Sequence, residues 1–150
     1  MFWDNVAWAY DIFANGINRR TNQQLCAAVA TLISPGDDVL ECACGTGLLT
    51  GALAPRCKSL VATDLSENML KRARKKLAGC RNIRFEWADI LHLPYPDASF
   101  DAIVAANVIH LLDQPQLALK ELERECRPGG QHPIPTSKHR TDRGTTDPDS

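Results

Sequence analysis

The sequence predicts an α/β fold in which a doubly wound parallel sheet carries helices on both faces. Short apolar segments alternate along the chain with segments whose apolar residues recur every three to four positions. The last of the short segments, residues 100–106, is largely apolar throughout, as in a strand covered on both sides. Such an alternation favours parallel strands joined by right-handed helical crossovers.

The chain is predicted to begin with helices. Apolar residues recur at helical spacing through residues 2–33, and Gly16 is expected to divide this segment into two helices. A turn at residues 34–37 follows. The first strand is then expected to begin at Val39 and to end at Glu41.

The middle of the chain supplies the next two helices and the second strand. A glycine turn at residues 45–47 opens a short helix that Pro55 is expected to stop. The second strand, residues 60–63, ends at Asp64, and Ser66 is expected to cap the following helix because its hydroxyl can accept from a free N–H. The side chains expected to be buried on that helix are Met69, Leu70, Ala73 and Leu77.

Two further strands and a helix complete the predicted core. Gly79 is expected to stop the preceding helix, and residues 83–87 then alternate apolar and charged side chains as a strand does. Residues 100–106 form the fourth strand. Pro115 is expected at the first position of the last helix, where its missing N–H costs nothing, and the turn at residues 127–130 ends it.

Polar residues follow the ends of the predicted strands, and ligands of parallel sheets bind beyond those carboxyl ends. The glycines of the 45–47 turn let the backbone approach a ligand closely. The carboxylate of Asp64 can accept hydrogen bonds from both hydroxyls of a ribose, so the arrangement predicts a nucleoside site. The polar residues expected at this edge are Glu41, Asp64, Asp89 and Asn107.

The charge of Glu41 helps to choose among nucleosides. A carboxylate at the mouth of the turn would repel a pyrophosphate, but it favours a ligand that carries an ammonium and a sulfonium, as S-adenosylmethionine does. A dinucleotide turn usually has a third glycine where this chain has Thr50, and no Gly-Lys-Ser/Thr follows the turn, which excludes a P-loop. An NAD(P)-binding oxidoreductase domain remains the alternative interpretation.

Composition excludes several other classes of protein. The net charge is −1, and the basic run at residues 71–76 is interpreted as the solvated side of one helix, so no nucleic-acid partner is expected. No apolar run reaches the ~20 residues needed to span a bilayer. The six cysteines show no C-x-x-C spacing, which favours reduced thiols over a metal site. With no signal peptide at the N-terminus, a cytoplasmic protein is expected.

Four segments carry a resemblance to a known family. Residues 39–50, 61–70, 89–93 and 100–112 resemble the successive motifs of class I S-adenosylmethionine-dependent methyltransferases, and most resemble the small-molecule enzymes that include quinone-biosynthesis methyltransferases. The resemblance implies a Rossmann-like fold, S-adenosylmethionine as cofactor and a small-molecule methyl acceptor. It also implies in-line displacement at the sulfonium methyl.

The resemblance implies a role for each matching residue. Those around the methionine moiety would be Glu41, the backbone of Ala43, Gly45 and Gly47, and Asn107. Those around the nucleoside would be Asp64 at the ribose and Leu65, Met69, Asp89 and Ile90 at the adenine. Tyr10 lies in the N-terminal helix that closes over the cofactor in this family. His110, just past Asn107, is a weak candidate for a catalytic general base.

Two departures from the family affect these expectations. Ala43 stands where the family has its first glycine. After Gly130 the family continues with a fifth strand and a hairpin, whereas residues 131–150 are polar and proline-rich. The late strands are therefore expected to be missing and the chain to be truncated. An exposed sheet edge would follow, through which a homodimer could form, and a non-catalytic cofactor- or partner-binding chain is a further alternative.

These expectations define three segments. Residues 1–33 are predicted to form an N-terminal helical lid, residues 34–130 the S-adenosylmethionine-binding core, and residues 131–150 a polar tail that is loop or disordered.

Overall fold

Four strands form one parallel sheet in the computed structural model, which describes residues 19–105 and 112–127. The strands are β1 (Asp38–Cys42), β2 (Ser59–Asp64), β3 (Ile83–Trp87) and β4 (Ala102–Ala105). Their spatial order is β3-β2-β1-β4, with β1 paired to both β2 and β4. The order reverses between β1 and β4, which places a topological switch point at the carboxyl end of β1.

Helices cover both faces of this sheet, which confirms the predicted doubly wound architecture. The helices are α1 (Arg19–Ala30), α2 (Leu48–Leu53), α3 (Glu67–Lys76) and α4 (Pro115–Glu125). Val39 and Leu60 of the sheet pack with α1 and α2 in one buried cluster. Leu40 and Ile103 point to the opposite face and pack with the apolar side of α4. No helix in the described part of the chain has the length and apolar character needed to cross a membrane.

The helix boundaries follow the local signals in the sequence. Ser66 caps α3, because its hydroxyl accepts a hydrogen bond from the backbone N–H of Met69 at 3.2 Å. Pro115 occupies the first turn of α4, as predicted. Pro55 lies in a short 3₁₀ turn, Ala54–Arg56, that follows the end of α2. Three capping or stopping residues were therefore identified correctly from sequence.

Some details of the elements differ from the predictions. Met69 was expected to be buried, but its side chain is 37% exposed, because the buried face of α3 runs through Leu70 and Ala73 instead. The helix ends at Lys76, before Gly79. The fourth strand begins at Ala102 rather than at residue 100.

Several predicted features lie outside the described residues. These are the first N-terminal helix, with Tyr10, the segment that contains Asn107 and His110, and the tail at residues 131–150. The predictions made for them therefore stay predictions.

The amino-terminal edge of the sheet is held by a charged network. Asp101 accepts from the backbone N–H of Asp38 at 2.9 Å and from the guanidinium of Arg127 at 2.8 Å. Arg127 also contacts the carboxylate of Asp38 at 3.2 Å. The network joins the starts of β1 and β4 to the end of α4. It lies opposite the carboxyl edge, which supports a structural role for Asp101.

A second network surrounds the last turn of α4. The Arg124 guanidinium donates to Glu125 and Glu121, both at 2.5 Å, and to Asp97 at 2.8 Å. Glu125 is fully buried, and its Oε2 has no hydrogen-bond partner among the described residues. Burial raises the pKa of Glu125 to about 7, although the positive charge of Arg124 opposes this shift.

Glu125→Gln is expected to change how stability depends on pH. Between the ordinary carboxyl pKa and about 7, the folded protein binds the Glu125 proton more tightly than the unfolded chain does. This group therefore lowers the free energy of unfolding as the pH rises. Gln cannot titrate, so the variant should gain stability relative to wild type between about pH 5 and about pH 8.

Urea unfolding across that pH range measures the difference. Glu123→Gln, on the exposed side of the same helix, is the matched control and should show no such trend. A constant difference between the Glu125 variant and wild type would contradict the expectation.

Candidate functional site

The turn after β1 bends back over the carboxyl end of β2. Its Cys44 N–H donates to the carbonyl of Thr63 at 2.9 Å, and its Gly47 N–H donates to the carbonyl of Cys44 at 3.0 Å. Three of its residues have left-handed backbones, with φ of 57° at Ala43, 57° at Gly45 and 93° at Gly47. The turn therefore lies at the edge of the sheet where ligands of such folds bind.

The two glycines of the turn serve different purposes. A Cβ at Gly47 would lie 3.0 Å from Cδ1 of Leu77 and 3.3 Å from Cβ of Ala73, so this glycine lets α3 pack closely on the turn. A Cβ at Gly45 would meet nothing within 4 Å, so the backbone there faces open space. Gly45 therefore presents bare backbone at the edge, as a ligand-binding turn requires.

Asp64 ties the turn to the following helix. Its Oδ2 accepts from the N–H of Gly45 at 2.9 Å, and its Oδ1 accepts from the N–H of Ser66 at 2.9 Å. The side chain remains partly exposed. The carboxylate predicted to bind a ribose is thus held in place by two backbone donors, one in the turn after β1 and one at the start of α3.

Glu41 lies beneath the turn rather than at its mouth. Its side chain is 2% exposed, and its Oε1 accepts a hydrogen bond from the Thr50 hydroxyl of α2. Burial raises the pKa of Glu41 to about 7, the Thr50 hydrogen bond opposes the shift, and the charge of Asp64 adds to it. The strand carries the side chain under α2, and the expectation that Glu41 binds the cofactor stays a prediction.

The residues predicted near the adenine lie at the ends of β2 and β3. Leu65 is 56% exposed, and the backbone N–H of Ala88 donates to the carbonyl of Asp64 at 3.3 Å, which brings the two strand ends together. The Oδ1 of Asp89 accepts from the N–H of Leu91 at 3.0 Å, so this residue also stabilises its own turn. Ile90 is buried in the core.

Sequence reasoning missed two residues of this edge. Trp87, the last residue of β3, is 52% exposed, and its indole N–H donates to the carbonyl of Leu65 at 2.8 Å. Thr50 was noted only as the position where a dinucleotide turn would have a glycine. The sequence did offer a signal for Trp87, because this tryptophan stands at the carboxyl end of a predicted strand. The hydrogen bond from Thr50 to Glu41, in contrast, is visible only in the folded structure.

The two cysteines flanking Ala43 are packing residues. Cys42 and Cys44 are both buried, and burial raises the pKa of the Cys42 thiol to about 12 and that of Cys44 well above its usual range. Such thiols are not reactive at neutral pH. Across the described residues, no three His, Cys, Asp or Glu side chains are grouped so that they could hold a metal ion.

Comparison with known proteins agrees with this geometry. Residues 40–134 match the family of methyltransferase domains. The chain is 35% identical, over 131 residues, to a demethylmenaquinone methyltransferase of Clavibacter sepedonicus, an alignment that covers 86% of this chain and 54% of that protein. It is also 35% identical, over 105 residues, to a ubiquinone/menaquinone biosynthesis C-methyltransferase of Teredinibacter turnerae, with coverage of 66% and 42%.

A solved structure shares the same architecture. A SAM-dependent methyltransferase from Aquifex aeolicus superposes with a TM-score of 0.59 at 27% identity, covering 64% of this chain and 54% of that one. The chain spans about half the length of the curated relatives it matches.

Ala43→Gly is expected to stabilise the fold by about 1 kcal/mol. Ala43 adopts a φ of 57°, a left-handed conformation that costs an L-residue roughly 1–2 kcal/mol and that glycine adopts freely. Part of this gain is offset by the larger unfolded-state entropy of glycine. Chemical denaturation measures the difference.

Ala52→Gly, inside α2, makes the same substitution where the backbone is helical and should destabilise by about 1 kcal/mol. Equal losses in both variants would show that Ala43 is not strained.

Proposed function

The chain belongs to the class I S-adenosylmethionine-dependent methyltransferases, and from this premise we propose that it transfers a methyl group from S-adenosylmethionine to a small-molecule acceptor. The observation that carries the proposal is the carboxylate of Asp64, held by Gly45 and Ser66 beside an open glycine turn. This arrangement suits a nucleoside whose ribose hydroxyls donate to the carboxylate.

The residues of the edge fit this cofactor. Gly45 leaves space that a Cβ would fill, and the partly exposed Asp64 offers acceptors for hydroxyl groups. The two exposed apolar side chains of Leu65 and Met69 offer a surface for a base. Glu41 adds a second acidic group under the turn, which favours a cationic ligand over a phosphate.

The residues of this chain would position the cofactor and the acceptor rather than form or break bonds themselves. When bound, S-adenosylmethionine supplies a methyl group already activated on a positively charged sulfur. The turn and Asp64 would fix the nucleoside, and burial of Glu41 keeps water away from its charge. The remaining contribution is alignment of the acceptor, which is worth a large share of the barrier in transfer reactions. His110 would be needed only for an acceptor that must lose a proton.

The acceptor class follows from the relatives. The curated proteins at 35% identity are named for methylation in menaquinone and ubiquinone biosynthesis. We therefore propose an aromatic quinone-like small molecule as the first acceptor to assay. Neither the matched family nor these relatives are oxidoreductases, so the NAD(P)-binding alternative receives no support.

A cytoplasmic, dimeric protein is part of the same proposal. The six cysteines are all free thiols, as expected in a reducing compartment. Among the described residues, Phe100 forms a single bridge to Cys126, and β4 beyond it is paired only to β1. Such an unpaired edge favours pairing with a second copy, which light scattering would detect as a doubled mass.

Asp64→Asn is expected to weaken the binding of S-adenosylhomocysteine by about tenfold or more, because a charged acceptor of ligand hydroxyls becomes a neutral one. The amide oxygen can still accept from one backbone donor, so the turn should keep its conformation. Titration calorimetry measures the affinity, and thermal unfolding checks that the variant is folded.

Ser66→Ala is the matched control. It removes the α3 cap next to Asp64 and should lower stability by about 1 kcal/mol while leaving affinity unchanged. Unchanged affinity in the Asp64 variant, or no binding by the wild-type protein, would contradict the proposed function. Binding without methyl transfer to any acceptor would favour the non-catalytic alternative.

Trp87→Phe is expected to remove the fluorescence change that accompanies binding of S-adenosylhomocysteine. The indole of Trp87 holds the Leu65 carbonyl at the proposed adenine position, so a bound base should alter its emission. Loss of this hydrogen bond should also weaken binding by roughly threefold to tenfold. An undiminished fluorescence change in the Trp87 variant would place the base elsewhere.

A further inference from the structure

The turn that follows β3, residues 89–93, carries Asp89 and Ile90, the residues predicted beside the adenine. It belongs to neither a helix nor a strand. The carboxylate of Asp89 accepts from the N–H of Leu91 at 3.0 Å, and the carbonyl of Asp89 accepts from the N–H of His92 at 2.9 Å. These local hydrogen bonds shape the 89–93 turn, but they do not fix its position relative to the rest of the fold.

The 89–93 turn is tied to α4 at Leu93. The N–H of Leu93 donates to Oε2 of Glu121 at 3.2 Å, and its carbonyl accepts from a guanidinium nitrogen of Arg124 at 3.2 Å. Glu121 and Arg124 lie one helical turn apart, and Oε1 of Glu121 accepts from Nε of Arg124 at 2.5 Å. One ion pair on α4 therefore holds both backbone polar groups of a single residue of the turn.

The end of α4 also holds the loop that continues from Leu93. Arg124 donates to the carbonyl of Tyr95 and to the carboxylate of Asp97, both at 2.8 Å. The N–H of Ala98 donates to the carbonyl of Arg124 at 2.9 Å. A guanidinium presents five N–H donors in one rigid plane, so it can keep several acceptors in fixed relative positions. The path of residues 93–98 therefore depends on this one side chain.

Burial makes the contacts at Leu93 important for the position of the turn. Leu93 is 5% exposed, and the side chains of Glu121 and Arg124 are 17% and 33% exposed. A buried backbone group that loses its partner must find another or reach water, because leaving it unpaired costs free energy. Removal of either partner should therefore displace the 89–93 turn and not merely loosen α4.

We propose that Glu121 and Arg124 are positioning residues that place the 89–93 turn so that Asp89 recognises the base of the cofactor and selects a base with an exocyclic amino group. The proposal rests on the proposed function. A carboxylate accepts a hydrogen bond from the amino group of adenine but repels the carbonyl oxygen that replaces this group in hypoxanthine. Such selection requires hydrogen-bond distance, so a displaced turn should lose it.

The test measures how strongly the protein prefers adenine to hypoxanthine. Titration calorimetry gives the dissociation constants of S-adenosylhomocysteine and S-inosylhomocysteine, which differ only in the base, and the ratio of the two constants is the base preference. The variants are Glu121→Ala, Glu121→Gln and Arg124→Lys. Glu123→Ala is the matched control, because it removes an acidic side chain from the exposed side of the same helix.

Wild type is expected to prefer adenine by roughly tenfold or more, the value of a hydrogen bond to a charged acceptor. Glu121→Ala and Arg124→Lys should reduce this preference by roughly threefold or more. Alanine has no acceptor for the Leu93 N–H, and lysine lacks the planar donors of a guanidinium. Glu121→Gln keeps an oxygen acceptor and should stay closer to wild type. Glu123→Ala should match wild type.

A double variant tests whether Glu121 acts through Asp89. Asp89→Asn should itself lower the base preference, because the amide can also donate to the carbonyl of hypoxanthine. Its amide oxygen can still accept from Leu91, so the turn should keep its shape. Addition of Glu121→Ala to Asp89→Asn should then change the preference little further. Fully additive losses would overturn the proposed route through Asp89.

Contrary results separate this proposal from the proposed function. Equal weakening of both ligands in Glu121→Ala and Arg124→Lys would give these residues a purely structural role and overturn the proposal. So would a Glu121→Gln variant as unselective as Glu121→Ala, or a wild type without base preference, and the proposed function would stand. Failure of wild type to bind either ligand would overturn the proposed function itself.

Hydrogen exchange of the ligand-free protein provides a second measurement. Amides of residues 89–93 should exchange faster in Glu121→Ala than in wild type, whereas Glu123→Ala should leave their exchange unchanged. Unchanged exchange in Glu121→Ala would overturn the proposal. Urea unfolding checks that each variant is folded, and if Arg124→Lys does not fold, the two Glu121 variants still decide the result.

Discussion

The carboxylate of Asp64 joins the two segments from which the candidate site is built. One oxygen accepts from Gly45 in the turn after β1, and the other accepts from Ser66 at the start of α3. Both segments leave the sheet at its carboxyl edge, where their backbone N–H groups would otherwise need water or ligand as partners. One acidic side chain therefore fixes the relative position of the turn and the helix and still keeps part of its surface open.

Close packing of the turn depends on the same arrangement. Gly47 lies close to Ala73 and Leu77 at the end of α3, so a side chain at this position would be in tight contact with both residues. Ala43 shows what the fold tolerates at the other end of the turn, because an alanine there adopts a left-handed conformation that glycine would adopt without strain. The strain remains local because Cys44 is fixed to β2 by its backbone hydrogen bond to Thr63.

The sequence was informative wherever a local rule decides the structure. Apolar alternation identified β3 with its observed bounds, Ser66 marked a cap, and Pro115 marked the start of a helix. It was less informative where the outcome depends on contacts across the fold. Met69 lies at helical spacing from buried residues, yet it falls off the buried face, because a shift of one residue rotates a side chain by about 100° around a helix.

Glu41 shows most clearly what could not be predicted from sequence alone. An acidic residue at the end of a strand is usually expected to be solvated. The residues next to Glu41 in the sequence do not indicate that α2 covers its side chain or that Thr50 donates a hydrogen bond to it. Burial of this side chain is therefore costly for folding, and the hydrogen bond from Thr50 offsets part of that cost.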